Sequence, residues 1–424
     1  MRLDPGKTYR SSIEPGAKLY YRLDLDETAS AYVSATAVPP PGATVSSSDG
    51  VKVSVQDANG HVCSGEASHF GATRSPHPIA AWAAREAGRD EFLCRDAGTY
   101  YAVVERTSAP PSSQDDWDLE LGHVSEPPVR KAGSTSPPET WDSASPDPLP
   151  GEAKPREGGT GFSAATPLGQ GVWRDGIRAG QTLFYAVPVD WGQQVYASAE
   201  LEGSDGGSGY VGTAFAMALY NPARGFVDDI GSGYDGRQRT AALKPLPPVD
   251  FDNRYATGDR VSGMRFAGSY YLVVHLASQV AEKFGDGPLG LTLSVRVSGS
   301  AKPGPGYVGQ AAPRDAFDVG SATREGTDDG PSAEASTGAG TRSPGSGREE
   351  GAERTWEGDD TAMKVVAASG IGTGSALVLL LVAWTAIARG RARKRARTAP
   401  ESADTATAAP AAVPAEHGGT PRGR

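Results

Sequence analysis

The sequence predicts a mainly β protein, with two antiparallel β-sandwich domains followed by one C-terminal transmembrane helix. Three observations carry this. Short segments that alternate apolar and polar residues recur at regular spacing with turn residues between them, as sandwich strands do. The pattern of residues 1–126 returns in residues 159–301. Residues 365–388 then supply 24 consecutive positions without a charge, slightly more than the roughly 20 needed to cross a bilayer as a helix.

Taken in order, Leu19-Tyr20-Tyr21-Arg22-Leu23-Asp24-Leu25 places Leu19, Tyr21, Leu23 and Leu25 on one face of a half-buried strand. Ala31-Tyr32-Val33-Ser34-Ala35 and Val51-Lys52-Val53-Ser54-Val55 repeat the pattern, and Asp57-Ala58-Asn59-Gly60 is the polar, glycine-containing turn that ends the latter. Residues 79–87 read as a short helix. Gly98-Thr99-Tyr100-Tyr101-Ala102-Val103-Val104 is rich in the aromatic and β-branched residues that strands favour, and Trp117-Asp118-Leu119-Glu120-Leu121 closes the unit. Residues 127–158 are Pro, Ser, Glu and Gly with almost no aliphatic side chains, the composition of a semi-extended linker.

Residues 159–301 then repeat the first unit. Ile13-Glu14-Pro15-Gly16-Ala17-Lys18-Leu19-Tyr20-Tyr21 matches Ile177-Arg178-Ala179-Gly180-Gln181-Thr182-Leu183-Phe184-Tyr185 at an offset of 164, which also carries Tyr32 onto Tyr196, Val53 onto Met217, Val55 onto Leu219 and Asp57 onto Asn221. Ala97-Gly98-Thr99-Tyr100-Tyr101 matches Ala267-Gly268-Ser269-Tyr270-Tyr271 at 170, and Leu119 and Leu121 match Leu291 and Leu293. The drift predicts a net insertion of about six residues in one loop. One fold used twice is the expectation, each copy large enough to bury its own core.

Residues 302–362 return to Gly, Ser, Thr, Pro and charge, as a flexible stalk does, and residues 363–388 are the spanning segment. Arg389, Arg391, Arg393, Lys394, Arg395 and Arg397 follow it, whereas Glu357, Asp359 and Asp360 precede it, so the excess of positive charge puts residues 389–424 in the cytoplasm and the sandwiches outside. The tail is rich in Ala, Pro and Thr and reads as disordered. Met1-Arg2-Leu3-Asp4-Pro5-Gly6 enters strand-like sequence with no export signal ahead of it, which leads us to expect the natural start upstream.

With 55 glycines and 33 prolines in 424 residues, much of the chain is turn and spacer. The net charge of −10 argues against nucleic acid, whose phosphates an acidic chain repels. Cys63 and Cys94 are the two cysteines. An even count in an exported segment predicts a structural disulfide, the alternative being two buried thiols.

The local signatures of catalysis are missing. There is no Gly-x-Ser-x-Gly elbow, no His-Glu-x-x-His and no glycine-rich phosphate loop followed by Lys, so no catalytic, cofactor-binding or metal-binding residue is assigned. His61, His69 and His77 have no zinc spacing and read as surface histidines. Asp250, Asp252, Asn253 and Asp259 offer oxygens to calcium but lack the spacing of a calcium loop, and Asp115, Asp116 and Asp118 are weaker still. Trp173 and Trp191 have faces that suit sugars or peptides, although core packing is the plainer reading. Gly370-Ile371-Gly372-Thr373-Gly374 has the spacing of close helix contacts in membranes.

The paired motifs, Gly then Leu-Tyr-Tyr or Leu-Phe-Tyr early and Ala-Gly-Thr/Ser-Tyr-Tyr late, resemble the bacterial pre-peptidase C-terminal domain. That resemblance implies a small jelly-roll-like β-sandwich of exported proteins. Phe184-Tyr185-Ala186-Val187-Pro188-Val189-Asp190-Trp191-Gly192-Gln193, followed by one span and an arginine-rich end, is similar to the C-terminal part of membrane-anchored actinobacterial surface proteins. Some of these carry a von Willebrand factor type A domain upstream, and this chain has no Asp-x-Ser-x-Ser of the kind that domain needs to hold its metal. The expected role is a single-pass, membrane-anchored surface protein with non-catalytic modules that bind envelope polymer or another exported protein. The alternative is the accessory portion of a larger protein whose type A or peptidase activity lies upstream of Met1.

Overall fold

The N-terminal sandwich contains β1 (Thr8–Ile13), β2 (Lys18–Leu25), β3 (Ser30–Val38) and β4 (Gly50–Asp57). It continues with β5 (Val62–His69), β6 (Ile79–Arg85), β7 (Gly98–Thr107) and β8 (Trp117–Glu126). The C-terminal sandwich contains β9 (Lys154–Pro155), β10 (Thr166–Pro167), β11 (Gly171–Ile177), β12 (Thr182–Val189) and β13 (Gln194–Leu201). It is completed by β14 (Val211–Tyr220), β15 (Phe226–Tyr234), β16 (Arg239–Ala242), β17 (Gly268–Leu276) and β18 (Leu289–Ser298). This computed structural model describes residues 1–88, 94–131, 133–138 and 140–320. The proposed span at 363–388, its Gly-x-x-x-Gly and the basic tail lie outside the described residues, among which no helix is long and apolar enough to cross a membrane.

In the first sandwich the sheets run β1-β8-β3-β6 and β2-β7-β4-β5, the double Greek-key order of a jelly roll. In the second they run β9-β11-β18-β13-β16 and β10-β12-β17-β14-β15. Adding ten to each strand number of the first sandwich reproduces the second, apart from the extra edge strands β9 and β10. Register agrees too: Leu23 pairs Tyr100 as Val187 pairs Tyr270, and Val53 pairs Val104 as Met217 pairs Val274.

Side-chain detail follows the same rule. The Tyr21 hydroxyl donates to Ser11 Oγ (3.0 Å) as Tyr185 donates to Asp175 Oδ2 (2.6 Å). Tyr100 and Tyr270 each donate to the backbone carbonyl four residues upstream, at 2.8 Å, the corner by which a tyrosine clamps a sandwich crossover. Asp57 Oδ1 accepts from the N–H groups of Asn59 and His61, and Asn221 Oδ1 from those of Ala223 and Gly225, so the same Asx turn closes both hairpins.

Two sequence expectations need correction. Residues 79–87 form no helix, because Ile79–Arg85 is strand β6. Both faces of β6 are covered, with Ile79, Ala81 and Ala83 in the first core and Ala80, Trp82 and Ala84 against the second sandwich, so the period-two signal that marks a half-exposed strand is erased. The drift of six residues also divides between two loops. The pair Ala35–Ala81 corresponds to Ala199–Ala241, an offset of 160 for β6, which makes the connection before β16 about four residues shorter and the one after it about ten longer.

The residues expected to begin a stalk do not hang free. Lys302 N–H donates to Trp191 O, Val308 N–H to Pro128 O, and Ser125 and Ala312 exchange both backbone hydrogen bonds, so residues 302–318 strap back across both sandwiches. Between the sandwiches, Val129 bridges Tyr307, and the carbonyls of Asp142 and Asp147 accept from Gln194 and Arg296.

Candidate functional site: the seam between the sandwiches

Alternation in β3, β8, β12 and β17 points one set of side chains into each core and leaves the other set on the outer face. With β6, the outer face of the first sandwich packs Tyr32, Trp82 and Ala84 against Ala223 and Phe266 of the second, Ala80 against Phe184 and Val273, and Ser75 against His275. Among the buried polar residues, Ser75, Glu126, Arg254, Arg265 and His275 lie in this seam.

At its centre, the Glu126 carboxylate receives four donors. Arg254 reaches it with Nη2 to Oε1 (2.7 Å) and Nη1 to Oε2 (3.1 Å), Tyr307 donates to Oε1 (2.6 Å) and Tyr32 to Oε2 (2.7 Å). The Arg254 guanidinium stacks 3.6 Å above the Phe251 ring. Burial alone would pull the Arg254 pKa down, but the Glu126 charge beside it pushes it up instead. Burial and then the same carboxylate drive both tyrosines well above the phenol range. Neither the guanidinium nor the two phenols can give up a proton near neutrality.

Two further ion pairs cross the seam. Arg265 meets Glu86 at 2.6 Å beside Trp82, and Arg224 meets Glu120 at 2.6 Å while stacking over Phe162. Phe162 in turn is surrounded edge-on by Phe184, Tyr220 and Tyr271 at 5.1 to 5.2 Å.

A fourth cluster has the outline of a nucleophile and base. Ser75 Oγ lies 3.0 Å from His275 Nε2, and His275 Nδ1 lies 3.0 Å from both Gln181 O and Thr182 Oγ1. A nucleophile must reach a substrate, and Ser75 has no exposed surface. Its Oγ also accepts from the Ser278 N–H (3.0 Å). The pair is a lock between the sandwiches.

The residues singled out from sequence fall mostly elsewhere. Cys63 and Cys94 form the disulfide, with Cα atoms 5.8 Å apart. His61 is exposed against Asp57 and His69 against Ser48 O, whereas His77 is half-buried, bordering a cleft while its ring stacks on His275 with centroids 4.4 Å apart. Asp250 caps a short helical turn by accepting from Asp252 N–H, and Asn253 is buried with its amide on Pro248 O and Met264 O. Asp259 begins a separate turn, Asp259–Ser262, and among the described residues no three His, Cys, Asp or Glu are placed to hold a metal. Asp115 contributes only its carbonyl, to Arg106, while Asp116 and Asp118 are exposed. Trp173 donates to Gly169 O, and Trp191 is almost fully buried against residues 302–307.

Sequence reasoning missed Glu126, Arg254, Ser75 and His275. Their only signal was position: each ends a strand or sits in a loop near an alternating segment, and what it meets lies 128 to 200 residues away. Two clefts open along the seam. One, of about 260 Å³, is lined by Ser34, Arg224, Ser269 and Tyr271, and the other, of about 960 Å³, by Pro39, Pro40, Arg74, His77 and Gln279.

No family model and no curated protein matches the chain. Among solved structures, the CUB1-EGF-CUB2 domain of human MASP-1/3 is similar over 68% of this chain and 99% of that one, at 9% identity and a TM-score of 0.17. The N-terminal CBM22-1-CBM22-2 tandem domain of Paenibacillus barcinonensis Xyn10C covers 66% of this chain and 82% of its own, at 8% identity and 0.19. The extracellular domain of Arabidopsis thaliana ANXUR2 covers 70% and 86%, at 10% identity and 0.18. Scores this low support no transfer of function, and the functional reading rests on the residues of this chain.

Proposed function

We propose that the protein is a non-catalytic surface protein, anchored by a single helix at residues 363–388, that presents its paired jelly rolls outside the cell as one binding or structural unit. The internal correspondence of the two sandwiches is read as duplication of one module. The observation that carries the non-catalytic reading is the use of buried charge. Glu126, Glu86 and Glu120 are each joined to an arginine of the other sandwich, so the ionisable interior fixes the modules together and faces no substrate. The disulfide and the charge asymmetry around residues 365–388 support export and the outward placement of the sandwiches. Envelope polymer or another exported protein is the partner class that suits such a unit.

Protease treatment of intact cells tests this reading. The expected product is a released fragment holding both sandwiches, with residues 389–424 protected, and retention of the full-length protein on isolated wall polymer is expected in a sedimentation assay. Protected sandwiches with a digested tail would reverse the orientation and remove the proposal.

A further inference from the structure

The His77–His275 contact is unlike the three ion pairs of the seam, because it stacks two imidazoles from opposite sandwiches, 4.4 Å apart and 25° from parallel. His77 Nδ1 lies 2.7 Å from Ser75 O, so its N–H donates to that backbone carbonyl, and His275 Nδ1 donates likewise to Gln181 O. Phe70 packs edge-on against His77 at 5.3 Å and covers it further.

Among the described residues no carboxylate is hydrogen-bonded or ion-paired to either ring, and His77 borders the larger cleft. The titratable side chains on the surrounding elements are His69, Arg74, Arg178, Glu282 and Lys283, all exposed, and none is hydrogen-bonded or ion-paired to either ring. Asp49 is buried beside Phe70, whose N–H donates to its carbonyl, and its carboxylate accepts from the N–H groups of Ser46 and Ala109. The neighbours of His275 on β12 and β14 are Thr182 and Ala216.

We propose that this contact is an acid-sensitive latch: protonating the stacked histidines puts like charges face to face in the seam, frees residues 70–78 from β17 and lets the two sandwiches part. Burial holds both imidazoles below the usual histidine range, and for His275 the facing His77 lowers it further. The sign follows from linkage. A histidine whose folded pKa is depressed binds its proton more readily once the contact is broken, so the closed seam is intact above about pH 6.5 and weakens as pH falls below it, by up to about tenfold in the opening equilibrium per pH unit and per histidine.

Hydrogen exchange of the full-length protein in detergent at pH 7.5 and 5.0, corrected for the intrinsic pH dependence of exchange, tests this. Peptides spanning residues 70–78 and 268–276 are expected to exchange about tenfold faster or more at pH 5.0, while core peptides from β4 and β14 stay protected. A combined His77→Phe and His275→Gln variant keeps a ring and an amide in place of the imidazoles and should lose the acid response. If that variant loses core protection at pH 7.5, His77→Phe alone decides, and its response should fall by up to about tenfold per pH unit. A wild-type seam equally protected at both pH values overturns the proposal, as does an acid response that is undiminished in the variants.

Discussion

In the N-terminal sandwich the connection from β6 to β7 is tied to β5 by the Cys63–Cys94 bond. The corresponding connection of the C-terminal sandwich, from β16 to β17, has no cysteine and is about ten residues longer. It secures itself by burying Leu246, Val249 and Met264 in the second core and by pinning Asn253 between two carbonyls. One topology thus closes the same loop covalently in one copy and by apolar burial in the other. The loops that differ in length also build the seam. The connection before β6 of the first sandwich carries Ser75 and His77, and the one before β17 of the second carries Arg254, Arg265 and Phe266.

Breaking the seam at its centre should have the largest effect. Glu126→Ala leaves Arg254 buried without its partner, a loss worth about 3–5 kcal/mol. Denaturant unfolding is expected to shift to lower midpoint and to split into two transitions, one per sandwich. A single transition at the wild-type midpoint would show the seam to be energetically idle.

The two modes of loop closure are compared by a matched pair of variants. Replacing Cys63 and Cys94 with Ala opens a loop with a sequence separation of 31 residues, which costs about 3–4 kcal/mol on the chain-entropy account. Leu246→Ala removes a fully buried side chain and should cost about 3 kcal/mol. Each loss is expected in the hydrogen-exchange protection of its own sandwich. Equal loss in both sandwiches from either change would mean that they unfold as a unit.

The smallest effect concerns Glu66, on β5 of the first sandwich. Burial and then Asp259 of the second sandwich push its carboxyl up to about 8. A carboxyl raised in the folded state is ionised more readily when unfolded, so its contribution to stability declines as pH rises from the ordinary value of 4.5 toward 8. Glu66→Gln should flatten that part of the melting-temperature profile against pH and raise stability at pH 8. An unchanged slope would show that Glu66 is free to ionise in place.

Much of the fold was legible in the residues themselves. Alternation in β2 and β4 named the core faces, because one covered face is enough to impose period two on a strand. The offset of 164 aligns Tyr21 with Tyr185 and Asp57 with Asn221. Strand β6 was misread because its outer face is also covered, and residues 302–318 were misread because a strap made of Pro, Gly and Tyr has the composition of a linker.

The sequence by itself determined the class of fold, the duplication of its pattern and the cysteine pairing, since these depend on periodicity, local turn chemistry and a count of two. Only the tertiary structure decided that the sandwiches share a seam, and which charges and histidines meet there. Glu126 and Arg254 stand 128 residues apart in the chain and Ser75 and His275 stand 200 apart, and contact at that separation is set by which faces pack together, about which no local pattern carries information.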